Sequence, residues 1–182
     1  MALHRIVAPL TLLLLLAGCA SMPLSSMVQL AAMGREGLER VDPAQVRVRL
    51  SVSQGYEIDV SRARLRLSVT APRGASRDVD LSLELIERSR LERSNGLLRR
   101  ATLQPTYLLR LTPQSAAELA ALRQSLATRE RGTQRSFSVS APFSSRPAQA
   151  TSVTLWADLK LSADGAWIAL LDAAELRFNS RS

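Results

Sequence analysis

From Val46 onward, apolar and polar side chains alternate with a period of two, the signature of half-buried β-strands. Val46, Val48, Leu50 and Val52 alternate with Arg47, Arg49, Ser51 and Ser53, and Gly55 breaks the run. Ala63, Leu65, Leu67 and Val69 then alternate with Arg62, Arg64, Arg66 and Ser68. Pro72-Arg73-Gly74 marks a turn, and Val79, Leu81, Leu83 and Leu85 alternate with Asp78, Asp80, Ser82 and Glu84. Each run has one apolar and one polar face, as antiparallel sheets require. Asn95-Gly96 is the strongest short hairpin signal in the chain. It joins a polar arm, Ile86 to Ser94, to a returning strand that ends in Tyr107, Leu109 and Leu111, with Pro105 marking an edge or a bulge.

The period then changes. Thr112 is placed to cap a helix and Pro113 suits its first position. Ala116, Leu119, Ala120, Leu122 and Leu126 form one apolar stripe at helical spacing, and Arg129, Arg131 and Gly132 fit a helix end, so a helix is predicted over about 113–130. The strand period returns in Phe137, Val139, Ala141 and Phe143, then in Val153, Leu155, Ala157, Leu159 and Leu161, and finally between Trp167 and Phe178 after a turn at Asp164-Gly165. The chain reads as mainly β, an antiparallel sandwich or open half-barrel of about seven strands with one packed helix. At 182 residues and 46% hydrophobic, one domain with a sizeable core is expected, over 45–182.

The N-terminus has a different pattern. His4 and Arg5 precede an apolar stretch from Ile6 to Leu16, which is shorter than the roughly 20 residues needed to span a bilayer. It ends in Leu16-Ala17-Gly18-Cys19, which resembles the lipobox of bacterial lipoprotein signal peptides. The resemblance implies a signal peptide over 1–18, removed by cleavage before Cys19, and acylation of Cys19. Two or more acyl chains give stable anchoring where one gives marginal binding. Ala20 and Ser21 follow in place of the aspartate that often retains such proteins at the inner membrane, so the resemblance implies a periplasm-facing outer-membrane anchor. Residues 19–44 then read as a lipidated tether, with helical spacing at Met27, Leu30, Ala31 and Gly34.

Charge changes the picture only locally. The formal net charge is +8, but Lys160 is the single lysine among 24 basic residues, an arginine bias that GC-rich coding produces whatever the function. A periplasmic compartment also holds no nucleic acid, so none is expected as a partner. For the Arg62, Arg64, Arg66 stripe, pairing Leu65 with Leu81 and Leu67 with Val79 sets Arg66 opposite Asp80, Arg62 opposite Glu84 and Arg64 opposite Ser82. The stripe is then largely neutralised across strands rather than an anion site. The arm differs: Arg88, Arg90, Arg93, Arg99 and Arg100 outnumber Glu87 and Glu92 and form a candidate contact for an anionic surface or partner. Trp156, between Thr154 and Asp158 on a polar strand face, is a candidate surface patch.

Catalytic chemistry has few means here. His4 leaves with the signal and Cys19 is consumed by lipid, so the mature chain lacks the histidine of a Ser-His-Asp triad. Lys160 with Ser162 and Asp158 reads as an exposed lysine with a salt partner, and the pairs Glu57/Asp59, Asp78/Asp80 and Glu84/Glu87 are sequence neighbours rather than residues facing each other across a cleft. No metal spacing, phosphate loop or dinucleotide motif appears, and no metal or cofactor is expected. Two readings remain: a non-catalytic accessory lipoprotein that docks an envelope protein, and a module that binds or transfers lipid between sheet and helix. The first is preferred because no sequence feature marks a cavity. Replacing the attachment point, Cys19→Ser, should move the protein from the membrane to the soluble fraction on fractionation; unchanged membrane association would refute the anchor.

Overall fold

The computed structural model of the chain describes residues 41–70, 76–94, 100–127 and 134–178. The alternating runs form strands β1 (Arg47–Val52), β2 (Glu57–Ile58), β3 (Arg64–Thr70), β4 (Ser76–Arg93), β5 (Thr102–Leu111), β6 (Gln134–Ser140), β7 (Phe143–Ser145), β8 (Ser152–Lys160) and β9 (Ile168–Arg177), with helix α1 (Pro113–Ala127) after β5. Seven of these make one antiparallel sheet in the order β6-β3-β4-β5-β1-β8-β9, and β2 pairs with β7 in a small second ladder. The end strands β6 and β9 touch, so the sheet is nearly closed and barrel-like. That arrangement leaves little of either edge unprotected. Among the described residues no helix is long and apolar enough to cross a membrane.

The inner face collects the apolar half of each alternation. Val46, Val48, Val52, Leu65, Leu67, Leu81, Leu109, Val153 and Leu159 are at most 1% exposed and belong to one core. α1 covers the end of this core near the start of β1, inserting Leu119 and Leu122. Thr112 caps it as expected, its Oγ1 accepting from the Ser115 N–H at 3.2 Å. The buried Ser115 hydroxyl accepts from the Ser82 N–H at 2.8 Å, and Thr112 N–H donates to the Ser82 carbonyl at 3.0 Å. The helix start thereby satisfies β4 where the strand would otherwise lose backbone partners. At the opposite end Tyr56, Phe143 and Phe178 pack with ring centroids 5.6–6.3 Å apart, and Tyr56 Oη donates to the Ser152 carbonyl at 2.5 Å.

The register between β3 and β4 is the expected one: Leu65 faces Leu81, Leu67 faces Val79, Arg64 faces Ser82 and Arg66 faces Asp80. The fourth expected pair does not form. Arg62 lies in a short 3-10 turn, Val60–Arg62, before β3 begins, with Asp59 3.8 Å away. Glu84 accepts from Arg110 Nε at 2.7 Å across β5 instead. The turn makes the strand begin two residues later than the pattern suggests. The run through Phe143 is also divided, because the chain leaves β6 at Ala141-Pro142 and re-pairs as β7. Val41, placed in the tether by sequence, is 2% exposed in the core, and its carbonyl accepts from Arg123 Nη1, so the folded unit includes residues from 41 onward. The lipobox, the turns at Pro72-Arg73-Gly74 and Asn95-Gly96, and the helix end at 128–132 lie outside the described residues.

Asp80 is exposed, yet its carboxyl is held below its ordinary range, first by the hydrogen bonds from Arg66 (Nε 2.6 Å, Nη2 2.9 Å) and then by charge attraction. A lowered folded-state carboxyl contributes stability above its unfolded titration range, and that contribution is lost as pH falls through the folded value. Asp80→Asn should therefore lower Tm slightly at neutral pH and at low salt, with the gap to the parent protein closing as pH falls into the acid range. Tm against pH for the two proteins checks this.

Candidate functional site

β4 is eighteen residues long and pairs with two different neighbours. β3 covers only its first part, from Ser76 to Ser82, while β5 runs beside Leu83 to Arg93. From Leu85 to Arg90 six consecutive residues are exposed on this outer rim, including Leu85 at 39% and Ile86 at 44%. The partner strand is mostly buried here: Gln104, Thr106 and Tyr107 are at most 6% exposed. The arm is therefore a one-sided rim laid on a buried strand.

A bulge sets the direction of its side chains. Leu85 faces Leu109, but Glu87 faces Leu108, so Ile86 is an extra residue in β4. Because the side-chain period is two, one extra residue exchanges the faces of everything that follows. Without it, Arg93 would share the inner face with Leu83 and Leu85. With it, Ser89, Leu91 and Arg93 share the outer face with Thr106, Gln104 and Thr102.

On that outer face Arg93 meets the centre of the sheet. Its Nε donates to Ser51 Oγ at 3.2 Å, and its Nη2 pairs with Asp158 Oδ2. Arg49 Nε donates to the same oxygen at 2.9 Å, and Ser51 Oγ shares a 2.8 Å hydrogen bond with Thr106 Oγ1. Arg93 is in register with Thr102, four residues or about 13 Å of strand from Thr106. To reach Ser51 and Asp158 the arm must curl over β1 and β8. The carboxylate is 7% exposed, and the Arg93 and Arg49 side chains are 14% and 23% exposed. Two guanidinium groups thus share one nearly buried carboxylate, a charge-assisted clamp with an uncompensated positive charge.

Trp156 lies in this layer. It faces Ser51 across β1 and β8, is 1% exposed and is absent from the main core. β9 bulges past it: Leu155 faces Ala174 and Ala157 faces Leu171, with Ala173 in the left-handed region at φ 51°. Trp156 Nε1 and Gln104 Oε1 are buried without hydrogen-bond partners.

The sequence-predicted site residues divide. Arg88, Arg90 and Arg100 are exposed, with Arg88 stacked 5.5 Å from the Tyr107 ring centre. Arg99 lies outside the described residues. Arg93 is turned to the outer face of the sheet by the bulge and serves the clamp instead of a contact surface. Trp156 is not a surface patch: it is buried, at 1% exposure. Arg49 and Asp158, the residues that hold the arm, carried no signal as a pair because 109 positions separate them.

A second cationic feature adjoins the clamp. Arg47 faces Arg110 on β5 and Lys160 on β8, so three cations share one cross-strand row. Arg49, in the next row, lies 4.2 Å from the Trp167 ring centre, and Lys160 Nζ lies 6.0 Å from it. Among the described residues no group of three or more His, Cys, Asp or Glu is placed to hold a metal ion. A cavity of about 40 Å³ lies near Leu50, Ile58, Phe143, Leu155 and Leu171, and a groove of about 360 Å³ runs between α1 and β4, lined by Arg77, Val79, Glu118, Ala121, Leu122 and Ser125.

Removing the shared carboxylate should release the arm. Asp158→Ala leaves two arginines without their acid, and the cost should be about 3 kcal/mol in urea unfolding. In a Trp167→Phe background, Trp156 emission should shift to the red and arm amides should lose exchange protection; unchanged emission would contradict the clamp. Comparison of the chain with protein-family models, curated proteins and solved structures finds no match, so function is read from this geometry alone.

Proposed function

We propose that this protein is an envelope lipoprotein, anchored through acylated Cys19, that acts without catalysis by docking a protein partner along the outer rim of the β4–β5 arm. The observation that carries the reading is the run of six exposed residues from Leu85 to Arg90 on a strand whose far side has no described neighbour beyond Leu83. Such an edge offers backbone groups for strand addition. Leu85 and Ile86 supply apolar contacts, Arg88 and Arg90 supply charge, and the clamp at Asp158 limits the conformational freedom lost on docking. The charges and the bulge also discourage indiscriminate edge pairing, which suits a surface with a chosen partner.

Among the described residues the lipid-carrier reading is supported by the groove between α1 and β4, which carries the charged Arg77 and Glu118 in its lining. The cavity near Leu50 and Leu155, about 40 Å³, is far below the roughly 300–1,000 Å³ of ordinary ligand pockets.

A photoreactive residue at Ser89 should form a discrete adduct with one envelope protein in cells, and the same residue at exposed Ala166 should not. Ile86→Ser with Arg90→Glu should abolish the adduct while leaving Tm and membrane fractionation unchanged. Equal adducts from both positions, or native mass spectrometry showing stoichiometric lipid and no adduct, would overturn the docking reading.

A further inference from the structure

We propose that the outer face of β1 and β8 holds a phosphate-binding site formed by Arg47, Lys160 and Arg49 beside Trp167. It is separate from the arm's rim and stands or falls independently of partner docking.

The argument begins with an arrangement that strands avoid. Like charges directly opposite each other in a ladder are destabilising, and Arg110, Arg47 and Lys160 occupy one row across β5, β1 and β8. The neighbouring acids are already committed. Glu84 accepts from Arg110 at 2.7 Å, and Asp158 is shared by Arg49 and Arg93. Arg47 donates through Nη1 to the carbonyls of Ala44 at 2.7 Å and Val46 at 2.9 Å, contacts that orient the guanidinium without neutralising it. Lys160 has no ion pair with any described residue; its contact is the Trp167 ring.

These cations are also partly desolvated. Arg47, Arg49, Lys160 and Trp167 are all of intermediate exposure, neither fully hydrated nor sealed. Arg49 shares Asp158 with Arg93, but Arg47 and Lys160 have no carboxylate partner among the described residues, and such partly desolvated cations are favourable when an anion completes them. The donors lie on two adjacent strands and in two successive rows, a spread that exceeds one planar carboxylate. A tetrahedral phosphate presents oxygens toward both rows, and arginine forks suit its geometry. Trp167 supplies an apolar wall that already stacks on Arg49. Arg64 and Arg66 lie on β3, with Arg62 in the turn before it, on the other side of β4 and β5, and Arg66 is neutralised by Asp80, so these residues do not extend this site.

The ligand is thus a phosphate group, either free or borne by an anionic lipid headgroup, and the test separates these. Full-length lipidated protein in uncharged detergent is titrated with inorganic phosphate against chloride at constant ionic strength, reading Trp167 fluorescence in a Trp156→Phe background and Tm in the parent protein. The same readings are taken with dihexanoyl phosphatidylglycerol and dihexanoyl phosphatidylcholine below micelle formation. A saturable response to phosphate assigns a free phosphate; a response to phosphatidylglycerol alone assigns a lipid headgroup. In either case Lys160→Gln should abolish the response and Lys160→Arg should keep it. Without ligand, Lys160→Gln should leave Tm equal or higher, because it relieves repulsion in the row. No saturable response to any of the three ligands, a response equal for phosphatidylcholine and phosphatidylglycerol, or a response retained in Lys160→Gln would overturn the site. A ligand-free Tm that falls in Lys160→Gln would assign the row a structural role and overturn it as well. If the Trp156→Phe protein fails to fold, the Tm series in the parent background decides alone.

Discussion

Strand β4 serves both halves of the sheet, and its ladder to β5 contains one more residue than its partner supplies. That residue, Ile86, exchanges the two faces of the arm, because side chains in a strand alternate with a strict period of two. The first half of β4 sends Val79, Leu81 and Leu83 into the core. The second half sends Arg93 out to Ser51 and Asp158. A strand without the bulge would aim Arg93 to the face that Arg88, Arg90 and Glu92 now take, away from Ser51 and Asp158. The clamp and the curl of the arm both depend on this one-residue offset.

The two faces of the sheet are stabilised by different physics. Inside, Val46, Leu65, Leu81 and Leu109 are removed from water entirely, and their contribution is hydrophobic and non-directional. Outside, between β1, β8 and the arm, the contacts are Arg49 and Arg93 on Asp158, Ser51 on Thr106, and an indole without a hydrogen-bond partner. Such contacts are directional and specific. They hold the arm in one orientation, so it presents a defined edge.

Charge is distributed unevenly for the same topological reason. Arg66 on β3 meets Asp80, and Arg110 on β5 meets Glu84, each directly across a ladder. At Arg47 the neighbours on both sides are cationic. A surplus that looks uniform in the composition thus includes paired positions such as Arg66 and Arg110, a clamp at Asp158, and Arg47 and Lys160, which have no ion pair among the described residues.

Much of the fold was legible in the chain itself. Period-two alternation identified the strands, the Thr112-Pro113 step and the stripe through Leu119 and Leu122 identified the helix, and matching apolar positions gave the β3–β4 register with Arg66 opposite Asp80. These are local signals, carried by residues on one element or on two that are joined by a short turn. The residues of the site are not of that kind. Arg49, Arg93 and Asp158 lie on three strands distant in sequence, and their meeting depends on strand order, on the placement of β1 between β5 and β8, and on a bulge that no composition signal marks. Trp156 illustrates the difference: alternation correctly placed it on the polar side of β8, but only the tertiary structure shows that the position is buried. Local alternation determines which face a side chain takes, while the tertiary arrangement decides what covers that face, because long-range pairing alone brings the covering strand to it.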